Sequence, residues 1–405
     1  MRRLVVCCDG TWNSADRAKA DGEGRTNVAR FHDAVVEGDV GGGVEQRRFY
    51  DPGVGTGSWW DRLVGGAFGT GLSKNIRDCY AWLIANWRPG DELYFVGFSR
   101  GAYTARSLAG LVRNAGILRP EHAGRVGEAY DLYRDRSDDT HPDSERSKAF
   151  RARYAVTDTV PISCVAVWDT VGSLGVPTRG PIGMLSRSRN GFHDVTLSSR
   201  VQNGFHALAI DERRKPFAPT LWEIPERELA ARRASGQRVE QVWFAGVHSN
   251  VGGGYPDTGL SDLALAWILD RVASCGLVLR RDAVLTCGGR CDGRLYDSMS
   301  ALFKPLGAFV RPVKQPRRAP DGAPLLTFED VHPSVVERWQ KLRPGWDPEN
   351  MRALWQALVA AAAAAGGTVA APRDATAVAT GAATGGTLPS AGPGIGAGTG
   401  VGAGR

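Results

Sequence analysis

Residues 93–102 read Leu-Tyr-Phe-Val-Gly-Phe-Ser-Arg-Gly-Ala, an apolar strand that runs into G-x-S-x-G and then into a helical stretch. No other feature constrains the chain as tightly. A serine on a sharp strand-to-helix turn projects its hydroxyl above a sheet, and Gly97 and Gly101 leave space where a Cβ would strike neighbouring elements. The helix opening at Arg100 aims backbone N–H groups and the positive end of its dipole at the point where an oxyanion would develop. With 52 glycines in the chain, the short pattern alone arises easily by chance. The strand before Ser99 and the helix after it therefore carry the inference.

The rest of the sequence alternates β-rich and helical runs, the pattern of an α/β fold with a mostly parallel sheet flanked by helices. Residues 4–8, 46–50, 93–96, 163–168 and 239–247 read as strands, and 71–87, 100–115 and 260–273 as helices. In the first helix Leu72, Ile76, Cys79, Tyr80, Leu83 and Ile84 recur at helical spacing. Residues 179–203 and 278–324 fit neither pattern and are expected over one end of the sheet, as helical or irregular insertions forming a cap. The domain reading is a catalytic domain over 1–345, a helix over 346–365, and a tail over 366–405. That tail is almost entirely Ala, Gly, Thr, Val and Pro with no aromatic residue, so it buries too little apolar surface to offset its ordering entropy.

A nucleophilic serine needs a base and an orienting acid, and strand ends downstream supply both in the order Ser, Asp, His. Asp169 ends the run 162–168, on the rim where ligands of open α/β sheets bind; the alternative is that it only caps the following turn. His248 ends the run 241–247 and precedes Ser-Asn-Val and three glycines, which let the loop bend tightly. Of the seven histidines, the competitor is His206, whose surroundings read as helical and which is expected to be a packed or lid residue. The loop after the first strand, Asp9-Gly10-Thr11, offers the N–H of Gly10 or Thr11 to complete an oxyanion hole with that of Arg100. Asp9 is expected to tether this loop by accepting N–H bonds. Its alternative role is to bind a cation with Asp257 or Asp262.

Several classes fall away. Basic residues exceed acidic ones by seven but are scattered, so nucleic-acid binding is not implied, while a weak field toward anionic lipid surfaces is. The Gly-rich runs at 50–57 and 65–71 lack the Gly-Lys-Ser/Thr of a phosphate loop. Cys287 and Cys291 have neither a second pair nor a nearby histidine to make a zinc site. No apolar run reaches the roughly 18–20 residues of a membrane span, and residues 4–8 are too short for a leader core. The expectation is a cytoplasmic chain, with secretion by a route that needs no leader left open.

Taken together, the runs VVCCDGTWN, YDPGVGTG, VGFSRGAYTAR, VWDTVGSLG, HALAIDERR and VWFAGVHSNVGGGYPDTGLSDLALAWI resemble the DUF2235 family, the α/β-hydrolase group that includes the Tle1-type type VI secretion phospholipase effectors. The resemblance spans roughly residues 1–330. It implies an α/β-hydrolase core, a Ser99–Asp169–His248 triad and, for the secreted members, phospholipase A activity. One departure stands out: Asn250 occupies a position where an acid is expected, and an acid that supports the histidine would leave its mark on activity or pH dependence when replaced.

The expected function is a serine hydrolase cleaving carboxylic esters, with phospholipids favoured, no metal or organic cofactor, and transient contact with a membrane surface. Phe192, Leu302, Phe303, Leu306 and Phe309 either line an acyl pocket or pack a small second core. The rival readings are a small-ester or polyester hydrolase and a non-catalytic interaction module on a hydrolase scaffold.

Overall fold

The computed structural model describes residues 1–10, 24–53, 68–135, 137–171, 196–301 and 303–364. Eight strands form one sheet: β1 (Arg2–Cys8), β2 (Gly38–Asp39), β3 (Glu45–Asp51), β4 (Glu92–Phe98), β5 (Ile162–Trp168), β6 (Val201–Ala209), β7 (Arg238–Phe244) and β8 (Glu329–Val331). Their spatial order is β8-β7-β6-β5-β4-β1-β3-β2, parallel throughout except for β2, which pairs antiparallel with β3 at one edge. A parallel sheet must be covered on both faces, so β1 shows no polar alternation: Leu4 to Cys8 are all fully buried.

The strand pleat divides the core. Leu4, Val6 and Cys8 pack with α2 (Phe68–Asn86) and α3 (Arg100–Ala115). Val5 and Cys7 face the opposite layer, where α1 (Asn27–Ala34) meets α5 (Gly259–Ser274). A short helix, α4 (His248–Gly252), precedes α5. From β1 the chain moves outward through α1 to β3, then crosses back through α2 to β4 on the other side of β1. The ends of β1 and β4 thus open into connections on opposite faces, a switch point that leaves a crevice beyond the strand ends. Asp9 and Ser99 sit at that crevice. Among the described residues no helix is long and apolar enough to cross a membrane.

Two regions differ from the sequence expectations. Residues 201–209, expected partly as an irregular insertion and around His206 as helix, form the interior strand β6, between β5 and β7. Asn203, Gly204 and His206 interrupt its apolar pattern, although all are inside the sheet. At the C-terminal side, the helix expected over 346–365 begins at Trp355, after a 310 turn at Glu349–Met351. Trp346, Met351 and Trp355 pack with Trp243, Val331 and Val335 against the β7–β8 end of the sheet. Residues 365–405, most of 179–203, and Leu302 lie outside the described residues.

The elbow after β4 depends on close backbone approach. An ideal Cβ on Gly101 would fall 2.0 Å from the Cys8 carbonyl oxygen, and one on Gly97 2.4 Å from that of Gly101. Neither neighbour is a flexible side chain that can yield. Gly101→Ala is therefore expected to destabilise the chain by about 3 kcal/mol or more. Gly124→Ala, whose Cβ would meet nothing within 4 Å, should stay within about 0.5 kcal/mol of wild type in the same denaturant titration.

Candidate active site

Ser99 is the N-cap of α3 with φ 57° and ψ −117°, a left-handed conformation that L side chains rarely adopt. Its N–H donates to the Trp168 carbonyl at 3.1 Å. Because Phe98 and Trp168 are register partners in β4 and β5, Ser99 and Asp169 are the next residues beyond one rung of the ladder. Asp169 also has positive φ, 38°, and its N–H is held by the Ala207 carbonyl of β6 at 2.8 Å. Two adjacent strands therefore end in strained residues that lift polar side chains off the sheet.

His248 opens α4 four residues after β7 and meets Asp169 directly, Nδ1 to Oδ2 at 2.6 Å. Both side chains are almost fully buried. Phe98 and Phe217 flank the imidazole, with ring centroids 4.6 and 5.0 Å away. Its Nε2 is buried and has no hydrogen-bond partner among the described residues, so no bond joins it to Ser99 in this structure. Burial pushes the imidazole below the ordinary value of 6.5, and this outweighs the upward pull of the Asp169 carboxylate.

Sequence reasoning missed the partner that lets Asp169 stay charged. Arg311, fully buried, donates from Nη1 to Oδ1 at 2.6 Å and from Nη2 to Oδ2 at 2.9 Å. Burial alone would raise the Asp169 carboxyl, but the Arg311 charge and the His248 bond hold it well below the usual carboxylate range. Oδ1 also accepts the Ala209 N–H at 3.0 Å. No local signal in the segment 278–324 distinguishes Arg311 from the arginines around it.

A second missed residue is Glu212, buried, whose Oε2 accepts the backbone N–H of His248 at 3.2 Å. Burial opposes its charge, yet Arg214, forked on it at 2.9 and 2.8 Å, brings its carboxyl down to about 2. It stands in the run HALAIDERR. Asn250, where an acid was expected, does not face the imidazole: Oδ1 accepts the N–H groups of Val247 and Tyr296, and Nδ2 donates to the Arg294 carbonyl at 3.0 Å. An aspartate could not make that last bond, so the amide ties the turn of His248 to the segment 294–296.

His206 is committed elsewhere. Its Nε2 accepts the Thr170 N–H at 3.0 Å, and Nδ1 meets Gln241 Oε1 at 3.1 Å, which fixes the neutral tautomer with the proton on Nδ1. Burial and the nearby Arg106 charge push its pKa down to about 3. It braces the turn that follows Asp169 from inside the sheet.

Asp9 is buried and holds its own loop: Oδ1 accepts the Gly10 N–H at 2.6 Å, and Oδ2 accepts the hydroxyls of Thr26 and Tyr50. Burial raises its carboxyl to about 6, against the pull of these donors. Thr11 lies outside the described residues. Asp262 is paired with Arg30 and Thr258, and Asp257 accepts the Gly259 N–H. The grouping with metal-ligand character among the described residues is instead Cys8, Asp51 and Cys79, where the thiols already meet at 3.8 Å.

A model of the family described as "T6SS, Phospholipase effector Tle1-like, catalytic domain" matches residues 2–271. The chain belongs to that family. The matched span holds Ser99, Asp169, Glu212 and His248, and ends before Arg311. An uncharacterized protein of Saccharomyces cerevisiae, YEL023C, is 27% identical over 194 residues, which cover 43% of this chain and 27% of the yeast protein. Two solved structures are also similar. An uncharacterized protein from Pseudomonas aeruginosa is 16% identical with a TM-score of 0.39, covering 70% of this chain and 47% of that one. The Tle1 effector bound to the VgrG spike of the type 6 secretion system is 17% identical with a TM-score of 0.34, covering 64% of this chain and 52% of that one. This Tle1-like chain thus spans about half the length of the two solved chains, and the match to the yeast protein takes in about a quarter of it.

His206→Ala separates the two histidines. It strands the buried Thr170 N–H and leaves a cavity, so it should cost about 2–4 kcal/mol of stability. Labelling of Ser99 by a fluorophosphonate should persist at temperatures where the variant remains folded by circular dichroism. Loss of labelling in folded protein would show that the site depends on His206.

Proposed function

We propose that this Tle1-like domain is a serine hydrolase that cleaves carboxylic esters of lipids, phospholipids foremost, through Ser99, His248 and Asp169. The observation that carries this reading is the buried 2.6 Å bond between Asp169 and His248, made one ladder step from a serine held at positive φ. Asp169 keeps the Nδ1–H tautomer of His248, which leaves Nε2 as acceptor. Nε2 takes the Ser99 proton as Oγ attacks the ester carbonyl, and returns it to the leaving alcohol. Water then repeats the sequence on the acyl-enzyme.

The tetrahedral oxyanion is stabilised by the N–H of Arg100 at the start of α3 and by one from the loop after β1. Since the Gly10 N–H is engaged by Asp9, the second donor is either Thr11 or Gly10 once released from that carboxylate. Gly97 and Gly101 keep the elbow tight. Phe217, packed edge-on to His248 and to Phe303 with centroids 6.0 Å apart, offers an apolar wall for an acyl chain. The catalytic unit we propose extends over 1–345, so that it includes Phe303 and Arg311. The excess of basic residues favours approach to anionic lipid surfaces.

Fluorophosphonate labelling with phospholipid turnover on the same samples tests the reading. Ser99→Ala and His248→Ala should abolish labelling, and Asp169→Asn should slow turnover by about 10⁴-fold. Wild-type chain that resists the probe, or labelling indifferent to Ser99, would overturn the proposal. Profiling p-nitrophenyl esters of increasing chain length then separates a lipid substrate from a short ester.

The pH profile follows from the lowered pKa of His248. A base with a depressed pKa becomes neutral at lower pH, so the acid limb of turnover should have its midpoint below the ordinary histidine value of 6.5. A midpoint above 6.5 would mean that the Asp169 charge outweighs burial.

A further inference from the structure

Arg311 is engaged more fully than charge balance requires. Besides its two bonds to Asp169, Nη1 donates to the Ala209 carbonyl at 2.8 Å and Nη2 to the Phe217 carbonyl at 2.6 Å. Each terminal nitrogen is thus pinned between a carboxylate oxygen and a backbone oxygen, which fixes the plane of the guanidinium. A fork-to-fork pair of this kind also fixes the rotation of the carboxylate. The oxygen it orients, Oδ2, is the one that meets His248 Nδ1.

We propose that Arg311 is a positioning residue of the active site: by forking on Asp169 it sets the direction of the oxygen that receives His248 Nδ1–H, and it neutralises an anion with no access to solvent. The proposal rests on the Ser99–His248–Asp169 reading. An unscreened Asp169 carboxylate beside the imidazole favours the imidazolium, which has no free Nε2 to accept the Ser99 proton. A guanidinium on the shared oxygen opposes that. The other charged or titratable groups facing the pair are Glu212, at the His248 backbone N–H and itself paired with Arg214, and His206, which accepts the Thr170 N–H next to Asp169. None of these touches the carboxylate oxygens of Asp169; besides the His248 imidazole and the Ala209 backbone N–H, Arg311 is the partner that sets their direction, and the charged one that forks on both oxygens.

The test is the pH dependence of fluorophosphonate labelling rate in the full chain, for wild type, Ser99→Ala, Arg311→Met, Arg311→Lys, Asp169→Asn and the Arg311→Met/Asp169→Asn double variant. Arg311→Met should label about 10²-fold more slowly and shift the midpoint of the rise upward by about one pH unit. Arg311→Lys restores the charge without the fork, so it should recover most of the pH shift and little of the rate. The double variant should label no more slowly than Asp169→Asn alone, because a residue acting through Asp169 adds nothing once that carboxylate is gone. Should Arg311→Met fail to fold, the double variant, which leaves no unpaired buried charge, carries the test.

A purely structural arginine would give folded Arg311→Met with the wild-type rate and midpoint, and that result overturns the proposal while leaving Ser99-dependent labelling intact. A double variant markedly slower than Asp169→Asn overturns it as well. Labelling of wild type that does not depend on Ser99 removes the underlying triad and this proposal with it.

Discussion

The Asp169 carboxylate has no solvent exposure, and three separate stretches of chain converge on that buried anion. Burying a lone charge is costly enough that the group would otherwise give up its charge. Here four donors answer it: the Ala209 N–H of β6, the His248 imidazole beyond β7, and two guanidinium nitrogens from Arg311. Removing one partner from such a pair costs about 3–5 kcal/mol, mostly because the other charge is left unmatched. The convergence of three distant stretches of chain on one carboxylate is therefore a folding constraint as much as a chemical one.

What the sequence reveals of this arrangement is what is local. Ser99, Asp169 and His248 each end an apolar run, and a side chain just past a parallel strand must project over the rim; three such residues were legible because their strands were. The matching of Arg100–Ala115 to its expected bounds has the same origin, a helix entered from a glycine-flanked turn. β6 was illegible because Asn203, Gly204 and His206 break its apolar pattern. Their polarity is absorbed by bonds that only the assembled sheet supplies, such as Asn203 Nδ2 to the Ser163 carbonyl and His206 to the Thr170 N–H. Arg311 was illegible for a stronger reason. It lies 142 residues from Asp169, and the chain contains 50 lysines and arginines with nothing in their neighbourhoods to single one out.

The segment 278–324 was expected to lie over the site as a cap, and its described part does something more intimate. Ser298 donates to Glu212, the Arg294 carbonyl and the Tyr296 N–H take up both ends of the Asn250 amide, and Phe303 packs on Phe217. Together with Arg311 these contacts hold both the turn that presents His248 and the acid that faces it. The matched Tle1-like region, 2–271, brings the serine, the acid and the histidine to one rim, while residues beyond it fix how two of them meet.

That division explains the state of the imidazole. Nδ1 is saturated by Asp169, the ring lies between Phe98 and Phe217, and Nε2 is buried without a partner among the described residues. A buried acceptor left open costs free energy comparable to a lost hydrogen bond, and proteins rarely keep one without use. Dry walls strengthen whatever electrostatic interaction forms between them. On the proposed reading, an imidazole oriented from behind and unsatisfied in front is placed to take a proton from a donor that enters. In that reading the donor is Ser99, one ladder step from Asp169.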